Sequence, residues 1–264
     1  MARCIVTRPM AQCAPWVAGL TQAGFAALAF PLIAIAPPAN PAELEAAWRA
    51  VHAYDALMFV SANAVAHFFA ARPADVALSE ALHGRCCWVT GPGSASALQA
   101  AGVPASAIQG PAADASQFDS EALWQRVAPQ CRSGTRVLIV RGDTGAAGAD
   151  PLTGVGREWF ASQVRAHGGT CDFVVAYQRT LPVLSANALA FIQVASRDGS
   201  VWIFSSSEAI ENIGRLVPGH SWQQARAVAT HTRIAEAARQ AGFGRVAVSR
   251  PSLSSVIASI ESLP

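Results

Sequence analysis

Hydrophobic positions along the chain gather in short runs rich in β-branched residues, and these alternate with alanine-rich stretches of helical spacing. That rhythm predicts parallel strands joined by crossover helices, an α/β fold. The run Cys4, Ile5, Val6 predicts a buried strand ending at Thr7, Arg8 and Pro9, followed by a helix over 14–24 that glycine closes. A second strand is predicted over 26–35. Two more strand–helix units follow, one running from Ala56 to Ser61 with a helix from Asn63, the other from Cys86 to Thr90 with a helix over about 94–101.

The second half replays the first in the same order. Arg136 to Gly142 echoes Arg3 to Pro9, and Val201 to Ile210 echoes Leu57 to Val65, each a hydrophobic strand that turns through serine into a helix. Ala227 to Gly242 echoes Trp88 to Gly102, again strand, polar turn, alanine-rich helix and glycine. Three matches in one order predict an internal duplication.

The 264 residues exceed the roughly 150 of one typical domain, which favours two domains. Apolar residues make up 52% and charged residues 14%, a balance that excludes charge-driven disorder. The longest apolar passage, Phe25 to Ala39, is broken by Pro31, Pro37 and Pro38, and predicts no membrane span. The N-terminal stretch lacks an apolar signal core, so a cytoplasmic protein is expected. A net charge of +2 is too small for a broad field toward nucleic acid or membranes, and any anionic partner must be met by local clustering. Every one of the 19 basic residues is arginine, which rules out Schiff-base chemistry and the lysine-bearing phosphate loop but keeps bidentate carboxylate recognition. The cysteines and histidines show no metal-ligand spacing, so no metal is expected and the thiols read as reduced and mostly buried.

In open parallel sheets, ligands bind beyond the carboxyl ends of the strands. The loops there read Thr7, Arg8, Pro9; Ser61, Ala62, Asn63; Thr90 to Ser94; Arg141, Gly142, Asp143; Ser205, Ser206, Ser207; and Thr230, His231, Thr232, Arg233. Hydroxyls, glycines and arginines in this combination suit a small polyanion, although any one of these hydroxyls also serves simply to cap a helix. Gly91, Pro92 and Gly93 hold only part of a dinucleotide fingerprint, and no nucleophile elbow surrounds any serine, so a nucleotide-dependent reductase and a serine hydrolase are poor readings. Tyr177, one of two tyrosines, ends the predicted strand Cys171 to Ala176. Its phenol either anchors a strand edge or donates a proton to a leaving oxygen.

Taken together, Val6-Thr7-Arg8-Pro9, Phe30 to Ile33, Met58 to Val65, Val140-Arg141-Gly142, Ala176 to Arg179 and Ile203 to Ser207 resemble the uroporphyrinogen-III synthase family over nearly the whole length. The resemblance implies two similar α/β domains with an active-site cleft between them and a two-strand connection, here 1–36 with 179–264 and 37–178. It implies a monomeric lyase, needing no cofactor, that closes the linear tetrapyrrole hydroxymethylbilane to uroporphyrinogen III, losing water and inverting ring D. Tyr177 matches the family's cleft tyrosine, and Ser61, Ser94 and Ser205 match hydroxyl positions that would grip acetates and propionates. Departures are Val60 where threonine is common, Thr230-His231-Thr232 in place of a glycine–proline turn, and an apparent insertion over 144–156. A non-catalytic two-domain protein that binds a polyanionic small molecule is the alternative these loops leave open.

Overall fold

A computed structural model of the chain describes residues 3–112, 118–143 and 155–263. The chain opens with strand β1 (Arg3–Val6), helix α1 (Met10–Gln22) and strand β2 (Ala26–Ala29). It continues through β3 (Ala34–Ala36), α2 (Pro41–Arg49), β4 (Ala56–Phe59), α3 (Ala62–Ala70), α4 (Leu78–Ala81), β5 (Cys86–Val89) and α5 (Pro92–Ala100). Then come β6 (Ile108–Gln109), α6 (Ser120–Val127), β7 (Arg136–Asp143), α7 (Val155–Ala166) and β8 (Thr170–Thr180). The last third holds α8 (Ala186–Ala195), β9 (Val201–Phe204), α9 (Ser207–Leu216), β10 (Arg226–Ala229), α10 (Thr232–Gln240), β11 (Arg245–Val248) and α11 (Leu253–Glu261).

These elements form two compact units, one of residues 1–35 and 180–264, the other of residues 36–179. The first carries a five-stranded sheet in the order β11-β10-β9-β1-β2, and its strand pairs are parallel. The second carries a six-stranded sheet in the order β3-β8-β7-β4-β5-β6, parallel from β8 to β6. The three sequence echoes fall on equivalent strands: β7 answers β1, β4 answers β9 and β5 answers β10, and each trio stands side by side in its sheet. The equivalent helices α5 and α10 stop the same way. Gly102 and Gly242 take φ of +91° and +93°, and the amides of Val103 and Phe243 return to the carbonyls of Leu98 and Ala238.

Parallel strands covered on both faces need apolar side chains in both directions, which is why they read as continuous runs. In the first unit Ile5, Trp202, Phe204, Ala227 and Ala229 enter one core with Ile210, Ile213 and Phe243, while Cys4, Val6, Val201, Ile203 and Val228 enter another with Cys13, Leu20 and Val256. In the second unit Ala56, Met58, Val137 and Ile139 pack on Leu123, Val127, Phe160 and Val164 of α6 and α7. Phe59 meets Phe68 of α3 edge-on, and Trp48 stacks on Phe68 with ring centroids 4.5 Å apart.

Two sequence expectations need correction. The run over 26–35 is two strands in two sheets. The amides of Phe30 and Leu32 still bond the carbonyls of Val6 and Thr7, but Pro31 has no N–H and the chain bends there, held by Asn212 Nδ2 donating to the Leu32 carbonyl at 2.8 Å. Helix α1 starts at Met10 rather than at 14, because Pro9 sets the entry and the Gln12 amide bonds its carbonyl; Pro15 lies inside the helix. Most of the apparent insertion over 144–156 lies outside the described residues.

Strands β4 and β7 are neighbours in one sheet yet lie on opposite sides of residue 135 in sequence. Cutting the chain after residue 135 should therefore leave neither fragment with a cooperative thermal transition, whereas residues 34–180 expressed alone should melt cooperatively. Differential scanning calorimetry of the three pieces checks this, and two cooperative halves would contradict it.

Candidate functional site

The carboxyl edge of the second sheet is built by β4, β7 and β8. Phe59 pairs with Val140, and the Val60 amide donates to the Val140 carbonyl, so Ser61 lands beside the end of β7. Ser61 caps α3, its Oγ accepting the Ala64 amide at 3.1 Å. Ala62 and Asn63 form the first turn of that helix. On the other side of β7 the pairing slips: Arg141 stands against Val175, but Gly142 stands against Tyr177. Ala176 is the extra residue, a bulge that turns Tyr177 to the face its number in a regular strand would deny it.

Tyr177 is only 4% exposed. Its hydroxyl lies 3.1 Å from Ser61 Oγ, and its ring stacks on His67 of α3 at a centroid distance of 5.6 Å. The ring also lies against Gly142, where a Cβ would stand 2.7 Å from both Cε atoms, so only glycine leaves the space. Burial holds His67 below the usual histidine range, favouring the neutral ring. The other tyrosine, Tyr54, bonds Asp172 at 3.0 Å near the start of the strands and its phenol is pushed up to about 12, chiefly by burial.

Arg141 is 4% exposed, and its Nε finds no hydrogen-bond partner among the described residues. Arg157 near the start of α7 reaches the Gly142 carbonyl at 3.5 Å. Burial, then repulsion from Arg141 and Arg179, lowers its guanidinium, against the opposing pull of Tyr177 and Asp143. His67, Arg157 and Arg179 were not singled out in sequence. Their helical or strand positions carry no turn signal; Arg179 is two residues along β8 from Tyr177, whereas only the fold brings His67 and Arg157 there. Ser94 lies within the first turn of α5 and is buried at 5% exposure; Gly91, Pro92 and Gly93 form the accessible part of that loop.

In the first unit the expected residues line the corresponding edge, several of them engaged within the protein. Thr7 is buried and donates its hydroxyl to the Ile203 carbonyl at 2.7 Å, latching β1 to β9. Arg8 lies over Trp16 at 4.3 Å, and burial lowers its guanidinium. Ser206 caps α9 by accepting the Glu208 amide, flanked by half-buried Ser205 and Ser207. Thr230 is buried and continues the sheet through its amide to Phe204. His231 caps α10, its Nδ1 accepting the Arg233 amide at 3.1 Å, while Thr232 and Arg233 are exposed.

Among the described residues no group of three or more His, Cys, Asp or Glu could hold a metal ion, and no helix is long and apolar enough to cross a membrane. The cysteines are free, and burial pushes Cys87 and Cys171 up to about 12, which makes poor nucleophiles of them.

Because the chain holds two tyrosines, a tyrosine-ring labelled sample gives a direct view of this seat. Gly142→Ala should shift the Tyr177 ring resonances and leave those of Tyr54 unmoved, and overpacking of about 1–3 kcal/mol should lower the melting temperature. Unchanged Tyr177 signals would mean that the ring does not rest on Gly142.

The family model described as Uroporphyrinogen-III synthase HemD matches residues 14–258. The uroporphyrinogen-III synthase of Synechococcus elongatus is 27% identical over 220 residues, covering 81% of this chain and 74% of that protein. Two solved structures share the fold: a uroporphyrinogen III synthase mutant from the extremely thermophilic bacterium Thermus thermophilus, with TM-score 0.57 and 16% identity over 99% of this chain and 98% of that one, and the uroporphyrinogen-III synthetase of Helicobacter pylori, with TM-score 0.58 and 14% identity over 98% and 97%. A family match over nearly the whole chain, joined to two parallel α/β units, shows that this protein belongs to the uroporphyrinogen-III synthase family, lyases of tetrapyrrole biosynthesis.

Proposed function

We propose that this chain closes hydroxymethylbilane to uroporphyrinogen III, with Tyr177 donating the proton that the departing hydroxyl needs. The observation that carries the role of Tyr177 is its seat: a buried phenol at the carboxyl edge of the second sheet, 3.1 Å from Ser61 Oγ and resting on Gly142. With Ser61 donating to the phenolic oxygen, the phenolic hydrogen is left for the substrate, and the same hydrogen bond steadies the negative charge that Tyr177 acquires as it gives the proton away.

The pyrrole supplies the electrons. Its nitrogen lone pair pushes through the ring as the C–O bond breaks, water leaves, and an azafulvene cation remains. Attack by the substituted position of ring D, fragmentation of the spiro intermediate and reclosure invert that ring. No cofactor is needed on this reading. The protein's larger task is to hold the chain so that inverting closure outruns spontaneous closure to the uninverted isomer, an effect of proximity and orientation. Every pyrrole carries an acetate and a propionate. The residues proposed to hold them are Arg8, Ser205, Ser206, Ser207, Thr232 and Arg233 in the first unit, and Ala62, Asn63 and Arg141 in the second, through side chains and first-turn amides.

Tyr177→Phe keeps the ring and removes the donor. Given excess hydroxymethylbilane, the variant should turn over about 10²–10⁴ times more slowly, with little change in KM and a larger share of the uninverted isomer after oxidation and chromatographic separation. Near-wild-type yield of inverted product would reduce Tyr177 to a positioning residue.

A further inference from the structure

The second unit concentrates positive charge in one place. Arg141 ends the regular part of β7 with 4% exposure and a buried Nε lacking a partner among the described residues. Arg157 reaches across from α7 to the Gly142 carbonyl, the residue that seats Tyr177. Arg179 follows Tyr177 by two positions on β8. Among these groups Asp143 supplies the opposing carboxylate, and it has interactions of its own.

From this arrangement we infer that Arg141 and Arg157, with Arg179 adding to the field, form a carboxylate-binding subsite beside Tyr177 that takes one acetate or propionate of the substrate. The inference rests on the proposed function and adds Arg157 and Arg179 to its binding residues. Three guanidiniums drawn together and partly stripped of water repel one another; burial and the two neighbouring arginines both lower that of Arg157. Such an arrangement costs stability while the site is empty, and an incoming carboxylate relieves it by neutralising the repulsion and supplying the acceptor that Arg141 Nε lacks. The carboxylate also anchors the tetrapyrrole close to the proton donor. Arg157 is then a binding residue, not a proton donor, since a guanidinium keeps its protons at working pH.

Arg157→Gln and Arg157→Lys in the full chain test this, assayed with hydroxymethylbilane across a range of salt. Arg157→Gln should raise KM about tenfold or more, with a much smaller loss in kcat, and its kcat/KM should fall less steeply with ionic strength than that of the wild type, because one screened attraction is gone. Arg157→Lys loses the planar fork and, desolvated beside two arginines, part of its charge, so its KM and its salt dependence should both fall between those of the wild type and of Arg157→Gln. Losing one of three like charges, Arg157→Gln should melt at or above the wild-type temperature. A wild-type KM and salt dependence in Arg157→Gln, or a melting temperature several degrees lower, would overturn the subsite and leave the proposed function standing. Wild-type protein that forms no inverted product would overturn the proposed function itself.

Discussion

Three adjacent parallel strands set the geometry on which the candidate site depends. β7 pairs with β4 on one side and β8 on the other, so the loop after β4, the end of β7 and the far part of β8 arrive at one edge whatever their separation in sequence. Register then does the fine placement. Phe59 against Val140 sets Ser61 beside the end of β7, and Gly142 against Tyr177 sets the phenol on the only residue type that leaves room for it. Had the pairing run on without the bulge, Gly142 would face Ala176 and the phenol would project to the opposite face, away from Ser61. The 3.1 Å contact between two hydroxyls 116 residues apart is thus a consequence of backbone pairing and one bulge.

The two units show what duplication keeps and what it lets change. The echo that matches β1 to β7 matches Arg8 to Arg141, and each has a buried Nε without a partner among the described residues. A buried polar group left unsatisfied costs about 1–3 kcal/mol, more when charged, so the same cost at two equivalent strand ends is poorly explained by packing alone. The neighbouring position diverges. Pro9 enters a helix after β1, whereas Gly142 continues β7 and makes the seat for a tyrosine. Both units keep a cationic strand end, and the second adds the buried phenol proposed to give the proton.

Much of this was readable in the sequence, for identifiable reasons. Buried parallel strands are continuous apolar runs, and helices at these edges begin with serine, proline or histidine, with glycine closing α1, α5 and α10, so element type and the equivalence of β1 with β7, β4 with β9 and β5 with β10 follow from pattern alone. Tyr177, Ser61, Arg141 and Gly142 stood at strand ends, where open parallel sheets bind their ligands. The division of 26–35 between two sheets was hidden, because an alanine- and isoleucine-rich run is apolar whichever sheet it joins, and only the bend at Pro31 separates β2 from β3. His67 and Arg157 were hidden for a different reason. Each sits in a helix where a polar residue ordinarily faces solvent, and its relation to Tyr177 exists only once the bulge in β8 has formed.

The absence of lysine acquires a meaning at this edge. A lysine ammonium that is partly buried beside two other cations sheds its proton readily, and with it the attraction for a carboxylate. A guanidinium in the same surroundings is lowered from a much higher starting point and stays charged. Clustering Arg141, Arg157 and Arg179 therefore lets the second unit keep positive charge in a place where burial strengthens each interaction with an anion. The same burial makes the cluster costly on its own, and that cost links the unpartnered Nε of Arg141 to the repulsion felt by Arg157, both close to the phenol of Tyr177. In the subsite proposed above, a carboxylate entering there would relieve the repulsion and in doing so bring the substrate to Tyr177.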